Sequence, residues 1–430
     1  MKTVAARQKT LRDPRLPALP DMLGAEAREL LTAAVELEGE ELTELRLVQA
    51  NWRPGHALTT QYSARVRTST GEKRSVSLVA MTGKHLPPGA VRLRRDESEV
   101  AVWQVPHDPS LPGLAAVLDP RQARRLACDL GAPDAAVRVR LLAYRPTRRA
   151  VVELQGASFR LFAKLVQPDH VEALQQRHRL VAEHLPVPRS HGWDAELGLV
   201  VLEALPGVTL RTALGTATDL PAPAEILALL ARIPDPGDGR HTPAPLKEVH
   251  RHARLLKRLL PEYASRIDDL VAVCGEGLDD SDMVPVHGDL YEAQVMVNQG
   301  RIAGLLDIDT VGLGQRSDDL ATLLGHLVIW EAFSPKPRQA RAYARRVLAL
   351  ADQLHDLAGV RLRVAAVVFG LATNPFRVQE QAWPSETLRR LRLAEAWAAS
   401  AAQFAGHRYV RRHEDPLTAA SSAVHDATTG

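Results

Sequence analysis

The sequence predicts an α+β chain in two parts, a strand-rich stretch followed by a helix-rich one. Three observations carry this. Up to about residue 205, apolar residues alternate or cluster in short runs split by Gly, Pro and charged turns, the pattern of antiparallel strands. From residue 223 onward they recur mostly at helical spacing. That helical pattern is interrupted once, between Val284 and Leu313, by the short apolar runs VPVH, QVMV and RIAGLLDI. Strands followed by helices imply two lobes with a cleft between them.

The length of 430 residues suits roughly two or three domains of about 150 residues each. With 54 Lys and Arg against 51 Asp and Glu, the formal charge is only +3. Phosphate binding needs clustered cations rather than a slight excess, so no nucleic-acid partner is expected. Cys128 and Cys274 are the only cysteines, which excludes a disulfide framework and a Cys-based zinc site. The opening MKTVAARQKTLRDPRLPALP lacks the apolar run of a signal peptide, and no later stretch reads as the roughly 18 apolar residues of a membrane span. The expected setting is cytoplasmic, without a membrane partner.

Residues 1–20 read as a flexible arm and 411–430 as a disordered tail, because small and polar residues leave little to bury. Residues 21–130 read as an α+β unit. Its helix is expected between Gly24 and Glu40, and its strands over Leu42–Val48, Thr59–Thr68 and Ser75–Met81, followed by a second helix over Asp119–Leu130. A second strand block, Val137–Val166, can be laid against the first. Trp52-Arg53-Pro54 and Tyr144-Arg145-Pro146 stand at the same place in each. This is either a structural echo of one sheet unit or simply two hairpins with an Arg-Pro turn. Only the second block ends in a strand carrying a lysine, Phe162-Ala163-Lys164-Leu165-Val166. A helix over Asp169–His184 with Asp169 as N-cap follows, then a strand over Gly198–Leu205. Helices are expected over Pro223–Arg232, Leu246–Leu260, Ser265–Val273, Leu320–Phe333, Pro337–Ala358 and Arg361–Ala405.

The chemistry concentrates in VHGDLYEAQVMVNQGRIAGLLDIDTVGLGQRSDDLA, from Val286 to Ala321. His287, Asp289, Gln294, Asp307, Asp309, Asp318 and Asp319 lie mostly at turns or strand ends, where side chains can converge. Phosphoryl transfer from ATP needs such a set: a carboxylate beside the acceptor hydroxyl, oxygen ligands for magnesium and a fixed cation on the other phosphates. Asp289, after the strand VPVH, is placed to orient or deprotonate a hydroxyl. Asp307, at the end of the strand GLLD, is placed to hold metal. Asp309 reads either as a second magnesium ligand or as a solvated neighbour.

This segment resembles the aminoglycoside phosphotransferase and choline kinase group, relatives of the protein kinases. That family's catalytic loop reads His-Gly-Asp, four residues and an Asn. Here His287-Gly288-Asp289 matches, with Gln294 at the Asn position, and Leu306-Asp307-Ile308 matches the metal-binding Asp. Gly312-Leu313-Gly314 and Asp319-Leu320-Ala321 match the motifs that follow. The resemblance covers roughly residues 137–405 and implies a protein-kinase-like two-lobed fold with an N-terminal α+β extension. The N-lobe and hinge would span 137–207 and the helical C-lobe 208–410. It further implies that Tyr144–Val151, with Arg148, covers the nucleotide phosphates and that Lys164 meets them. The hinge at Glu203 to Leu205 would seat the purine of ATP or GTP, Asp307 and Gln294 would hold Mg2+, and His287 and Asp319 would support the loop.

Thr147 stands where many members of the family have Gly. Gln294 keeps an amide oxygen but adds a methylene. The family's helix Glu that pairs with the strand Lys has Glu172 as its candidate here, whereas Arg177 and His178 cannot serve. A nucleotide-binding pseudokinase acting as an interaction subunit is the rival reading; a protein kinase is disfavoured because the interval from Asp307 to Asp319 is too short to dock a peptide. The acceptor is a hydroxyl of a sugar, amino sugar, aminoglycoside-type antibiotic or amino alcohol. Asp279, Asp280, Asp282 and Glu331 would suit a cationic acceptor, and the basic helix KEVHRHARLLKRLL would oppose one. An extra unit ahead of the kinase lobes is similar to that of the maltokinases, which makes a sugar hydroxyl a serious candidate acceptor without deciding among the four classes.

Overall fold

The computed structural model describes residues 8, 10–95, 98–129, 136–216, 219–275, 282–334 and 338–404. Asp279, Asp280 and the tail lie outside them. The chain divides into two compact units. The first comprises Met1–Gln176, Arg189–Ala204 and Pro375–Pro384, and the second Arg177–Pro188, Leu205–Asn374 and Ser385–Gly430.

The first unit is built on two antiparallel sheets of five strands each. One uses β1 (Glu41–Arg53), β2 (Ala57–Arg67), β3 (Lys73–Gly83), β4 (Val91–Arg95) and β5 (Ser98–Gln104), in the order β1-β2-β3-β5-β4. It is preceded by helices α1 (Leu19–Leu23) and α2 (Ala27–Glu36). The other uses β6 (Arg138–Arg145), β7 (Arg149–Gln155), β8 (Arg160–Val166), β9 (Ser190–Asp194) and β10 (Leu199–Glu203), in the order β6-β7-β8-β10-β9. It is preceded by α3 (Gly113–Leu118) and α4 (Pro120–Asp129), while α5 (Pro168–Ala182) is inserted between β8 and β9. The two orders are the same, so the shared Aromatic-Arg-Pro sequence marks a repeated sheet and not a chance pair of hairpins.

Residues 10–20, read as part of an arm, are packed instead. Leu11, Leu16 and Leu19 are buried, as is Asp13. Three leucines at irregular spacing do not give a helical or strand period, which is why pattern reading missed them. Helix α5 begins at Pro168, placing Asp169 in its first turn rather than at the cap. Proline at the first helical position needs no N–H partner there.

The second unit is mostly helical. It contains β11 (Val208–Thr209), α6 (Leu210–Thr216), α7 (Pro223–Leu230), α8 (Pro245–Leu259), α9 (Ala264–Gly275), β12 (Val284–Val286), β13 (Val295–Asn298), β14 (Arg301–Leu305) and β15 (Gly312–Gly314). Helices α10 (Arg316–Phe333), α11 (Arg338–Leu354) and α12 (Leu357–Leu371) follow, and α14 (Trp383–Ala402) ends the described chain. The short α13 (Asn374–Arg377) returns to the first unit, where Phe376 packs edge-on against Trp383 at 5.2 Å. The single helix expected over Arg361–Ala405 is thus broken into three, because Pro375 and Pro384 can only begin a helix and Gln379 takes a left-handed φ of 52°.

Leu357–Arg377 is long and apolar enough to count as a candidate span, contrary to the sequence reading, yet 61% of its apolar window is buried within the protein. It belongs to the core of the second unit, where Val360, Val364, Val368 and Phe369 are buried among residues of the neighbouring helices. Helix α8 lies against it. Val249, Ala253 and Leu256 of α8 face inward and the charges of KEVHRHARLLKRLL face out. A Cβ at Gly370 would come within 3.0 Å of His252 Nε2, so glycine permits this close approach.

Burial, with Arg251 adding to it, pushes His252 down from 6.5 to about 4. The folded protein therefore keeps this ring neutral, while the unfolded chain takes up a proton as pH falls below 6.5. Stability contributed by the neutral ring is present above 6.5 and lost as pH falls to about 4, amounting to about 3 kcal/mol. Urea unfolding at pH 7.5 and 4.5 should show a larger acid loss in wild type than in His252→Gln.

Candidate active site

Two hairpin-like pairings in the second unit assemble the acidic residues. β13 pairs with β14, aligning Val295 with Leu305. The residues that flank this pair, Gln294 and Leu306, are joined by a bond from Leu306 N to Gln294 O of 2.8 Å. The next residue is Asp307, so its carboxylate meets the Gln294 side chain, with Gln294 Nε2 3.4 Å from Asp307 Oδ2. Gln294 is buried. Asp307 has φ 54° and ψ 49°, a left-handed conformation that Asp tolerates better than most side chains.

β12 pairs with β15, aligning Val286 with Gly312, and ends at His287. Both oxygens of Asp319 are spent on the loop that follows. Oδ2 accepts from His287 N and Oδ1 from Gly288 N, each at 2.8 Å. Asp319 is buried. Helix α10 starts at Arg316 rather than near Leu320, which puts Asp318 and Asp319 in its first turn. Arg316 lies 3.6 Å from Asp319 and Arg363 3.0 Å from Asp318, so both carboxylates have cationic partners. His287 is fully buried, with Nε2 2.9 Å from Leu306 O and Nδ1 3.4 Å from Asp289 N. An Nε2–H tautomer satisfies both. Thr310 Oγ1 donates to His287 O at 2.9 Å. Gly288 has φ 81°, and a Cβ there would stand 2.7 Å from both Thr310 O and Thr242 Cγ2, so no other residue fits.

Asp289 is half-buried at the end of this pinned loop. Tyr291 lies close to both carboxylates. Burial raises its phenol first, and the charges of Asp289 and Asp307 raise it further. Its ring stacks on His326 at 4.5 Å. Burial lowers His326, against the opposing charges of Glu292 and Asp289. The segment after Asp307 is held through the carbonyl of Asp309, which accepts from Arg177 and Arg240 at 3.1 Å each. Arg177 also reaches Asp238 at 3.3 Å. The backbone N–H of Arg240, together with Arg177, holds Asp238 below the usual carboxylate range.

Sequence reasoning did not single out Tyr291, His326, Arg177 or Asp238 as parts of this site. A signal existed for Arg177 alone: it sits on the apolar face of its helix, beside buried Leu174 and His178, where an arginine is retained only with partners.

Of the other expected residues, Arg148, Lys164, Glu172 and Glu203 belong to the first unit and Leu205 and Glu331 to the second. Lys164 is buried on β8, paired across the sheet with Val151 and Val200. Arg148 is exposed in the turn before β7. Glu203 ends β10, 3.4 Å from His191 Nε2, and Leu205 opens the next part of the second unit. Glu172, the candidate partner of Lys164, is exposed and accepts from Gln176 at 3.2 Å. Gln175, one residue before it, has a buried Oε1 without a partner. Glu331 is buried and paired with Arg341 at 2.6 Å, so it is committed to the fold.

Among the described residues no three His, Cys, Asp or Glu side chains converge as a metal cage. Magnesium does not require one, since it takes one or two protein carboxylates together with phosphates and water. The oxygen donors of Asp307 and Gln294 fit that role.

Residues 147–357 match the model of a phosphotransferase enzyme family. No curated protein matches the chain. Among solved structures it is similar to a choline kinase from Streptococcus pneumoniae, at 15% identity over 65% of this chain and 98% of that one, with a TM-score of 0.45. A macrolide 2'-phosphotransferase from Brachybacterium faecium shares 20% identity over 64% and 97%, with a TM-score of 0.41. An aminoglycoside phosphotransferase from Streptomyces rimosus shares 18% over 57% and 95%, with a TM-score of 0.38.

Replacing Asp319 by Ala would leave two buried N–H groups unpaired. Asp319→Ala is expected to lower unfolding free energy by roughly 2–6 kcal/mol, read from urea denaturation, with Asp282→Ala on the exposed surface as the neutral control.

Proposed function

We propose that this chain, whose residues 147–357 match the model of a phosphotransferase enzyme family, is a small-molecule kinase that moves the γ-phosphate of ATP or GTP to a hydroxyl. The acceptor is a sugar, amino sugar, aminoglycoside-type antibiotic or amino alcohol. The observation that carries the reading is the pairing of Gln294 with Asp307 at 3.4 Å, beside a His287–Asp289 loop clamped by Asp319.

In this reading Asp289 orients the acceptor hydroxyl and takes its proton as the oxygen bonds to the γ-phosphorus. The bond from that phosphorus to the β-phosphate oxygen breaks, and the electron pair leaves with the nucleoside diphosphate. Asp307 and the Gln294 amide oxygen would hold Mg2+, which neutralises phosphate charge when bound. Lys164 and Arg148 would contact the phosphates, and main-chain groups from Glu203 to Leu205 would pair with the purine. Nothing here requires a covalent enzyme intermediate. The contributions are positioning and charge neutralisation.

Magnesium-dependent binding of ATP or GTP should appear in a thermal-shift titration, followed by turnover on a panel of the four acceptor classes. Asp289→Ala should lower kcat by about 10²–10⁴-fold while nucleotide affinity stays near wild type. Lys164→Ala should act mainly on nucleotide affinity. Absence of magnesium-dependent nucleotide binding, or unchanged turnover in Asp289→Ala, would sink the proposal.

A further inference from the structure

The repeated sheets of the first unit share a second device that neither pattern nor periodicity announced. Ahead of each sheet stands the same short sequence, Asp13-Pro14-Arg15-Leu16-Pro17-Ala18-Leu19 and Asp108-Pro109-Ser110-Leu111-Pro112-Gly113-Leu114. Both aspartates are buried, as are both pairs of leucines. Each aspartate uses Oδ1 to cap its own turn, from Arg15 N at 3.1 Å and Ser110 N at 2.8 Å. Each sends Oδ2 to the Aromatic-Arg-Pro turn of the sheet behind it. Asp13 Oδ2 accepts from Trp52 Nε1 at 3.1 Å and Gly55 N at 2.7 Å. Asp108 Oδ2 accepts from Tyr144 Oη and Thr147 N, both at 2.7 Å. The aspartates are equivalent bond by bond.

The two turns differ in what they are asked to hold. Gly55 has φ 75° and Thr147 φ 61°. A glycine adopts this conformation without strain, whereas a β-branched residue there is an outlier that persists only when its surroundings over-determine it. Both peptide groups around Thr147 are tied. Its N–H goes to Asp108, and its carbonyl accepts from Gln167 Nε2 at 2.9 Å. Trp103 of the first sheet donates to Tyr144 Oη at 3.0 Å, so the chain of bonds runs from one sheet through Tyr144 to Asp108.

These bonds also decide what the turn can offer a phosphate. Pro146 has no N–H, Thr147 N is committed to Asp108, and Arg148 N donates to Arg145 O at 3.0 Å. The amides at the tip are therefore taken, so the turn meets an anion through side chains, with Arg145 and Arg148 the exposed cations among them. The first copy has no matching cation on its third strand. Thr59 pairs with Met81 where Val151 pairs with Lys164.

We propose that Asp108, which precedes the family-matched residues, is a positioning residue for triphosphate binding. Its carboxylate fixes the strained Tyr144–Arg149 turn so that arginine side chains, rather than backbone amides, meet the phosphates. Asp13 does the same mechanical work on a turn that serves no nucleotide. This rests on the nucleotide-binding reading above. It gives part of the N-terminal extension a task, namely bracing that turn from behind.

The matched aspartates supply their own control. Asp108→Asn and Asp13→Asn keep shape but turn one acceptor oxygen into a donor facing donors. Both should lower the melting temperature. Binding of ATP with magnesium and of adenosine is then titrated on the full-length protein, with GTP and guanosine used if guanine is the purine bound. Asp108→Asn should weaken the triphosphate about tenfold and leave the nucleoside within about twofold. Asp13→Asn should leave both unchanged. If Asp108→Asn does not fold, Tyr144→Phe and Gln167→Met each release one tie and should show the same selective loss. The inference is overturned if triphosphate and nucleoside weaken together, if neither changes, or if Asp13→Asn weakens the triphosphate as much. Wild type that binds no nucleotide would instead overturn the functional reading itself.

Discussion

The geometry of the acidic site hangs on one carboxylate. His287 and Gly288 present two consecutive backbone N–H groups to the interior, and each would carry a penalty of about 1–3 kcal/mol if left unpaired. Asp319 takes both, one per oxygen. Because Asp319 sits in the first turn of α10, whose inward face is buried among the helices of the second unit, the loop inherits the rigidity of that core. The constraint then passes outward. His287 reaches Leu306 O, and Thr310 reaches His287 O. The segment bearing Asp289 and the segment bearing Asp307 are therefore set against one another by hydrogen bonds, before any ligand is considered. Catalysis by positioning needs this kind of scaffold, since groups held in place need no reorganisation as charge develops.

Legibility in the sequence followed the range of the interactions. The strands from Glu41 to Gly83, the helices of the second unit and the acidic cluster were readable because period and motif are local. The convergence of Gln294 with Asp307 was readable for the same reason, the two being close in sequence and separated by one hairpin. Arg177 was not placed, since its partner carbonyl at Asp309 is supplied by a segment 132 residues away. Residues 10–20 looked like an arm because Asp13 has its partners at Trp52 and Gly55, 39 and 42 residues on. The break between α12 and α14 could have been read from Pro375 and Pro384, but the apolar spacing on either side masked it.

The first unit shows how one backbone can be kept while its chemistry is changed. Sheet order, the Asp-Pro-x-Leu-Pro-x-Leu lead and the buried carboxylate under the turn are common to both copies. Among the differences are Met81 against Lys164 and Gly55 against Thr147. A lysine buried on a strand is expensive unless it has something to hold, and a threonine in a left-handed turn is strained. The buried lysine and the left-handed threonine occur together in the second copy, and the first copy has a methionine and a glycine in their places. Such local conflicts with propensity collect at functional sites.

The same reasoning applies to Gln294. An Asn would place its amide oxygen one bond nearer the backbone, and the extra methylene here allows the amide to reach Asp307, with Nε2 toward the carboxylate at 3.4 Å. That is a long contact, near the limit of a hydrogen bond, and little is lost in giving it up. The terminal torsion of Gln is broad and roughly two-fold, so presenting Oε1 in place of Nε2 requires a rotation about that bond and no movement of β13. A carboxylate and an amide oxygen would then both be directed at a cation. In the proposed reading the longer side chain would keep the donor set, and the adjustment would fall on the amide rather than on the loop that Asp319 holds.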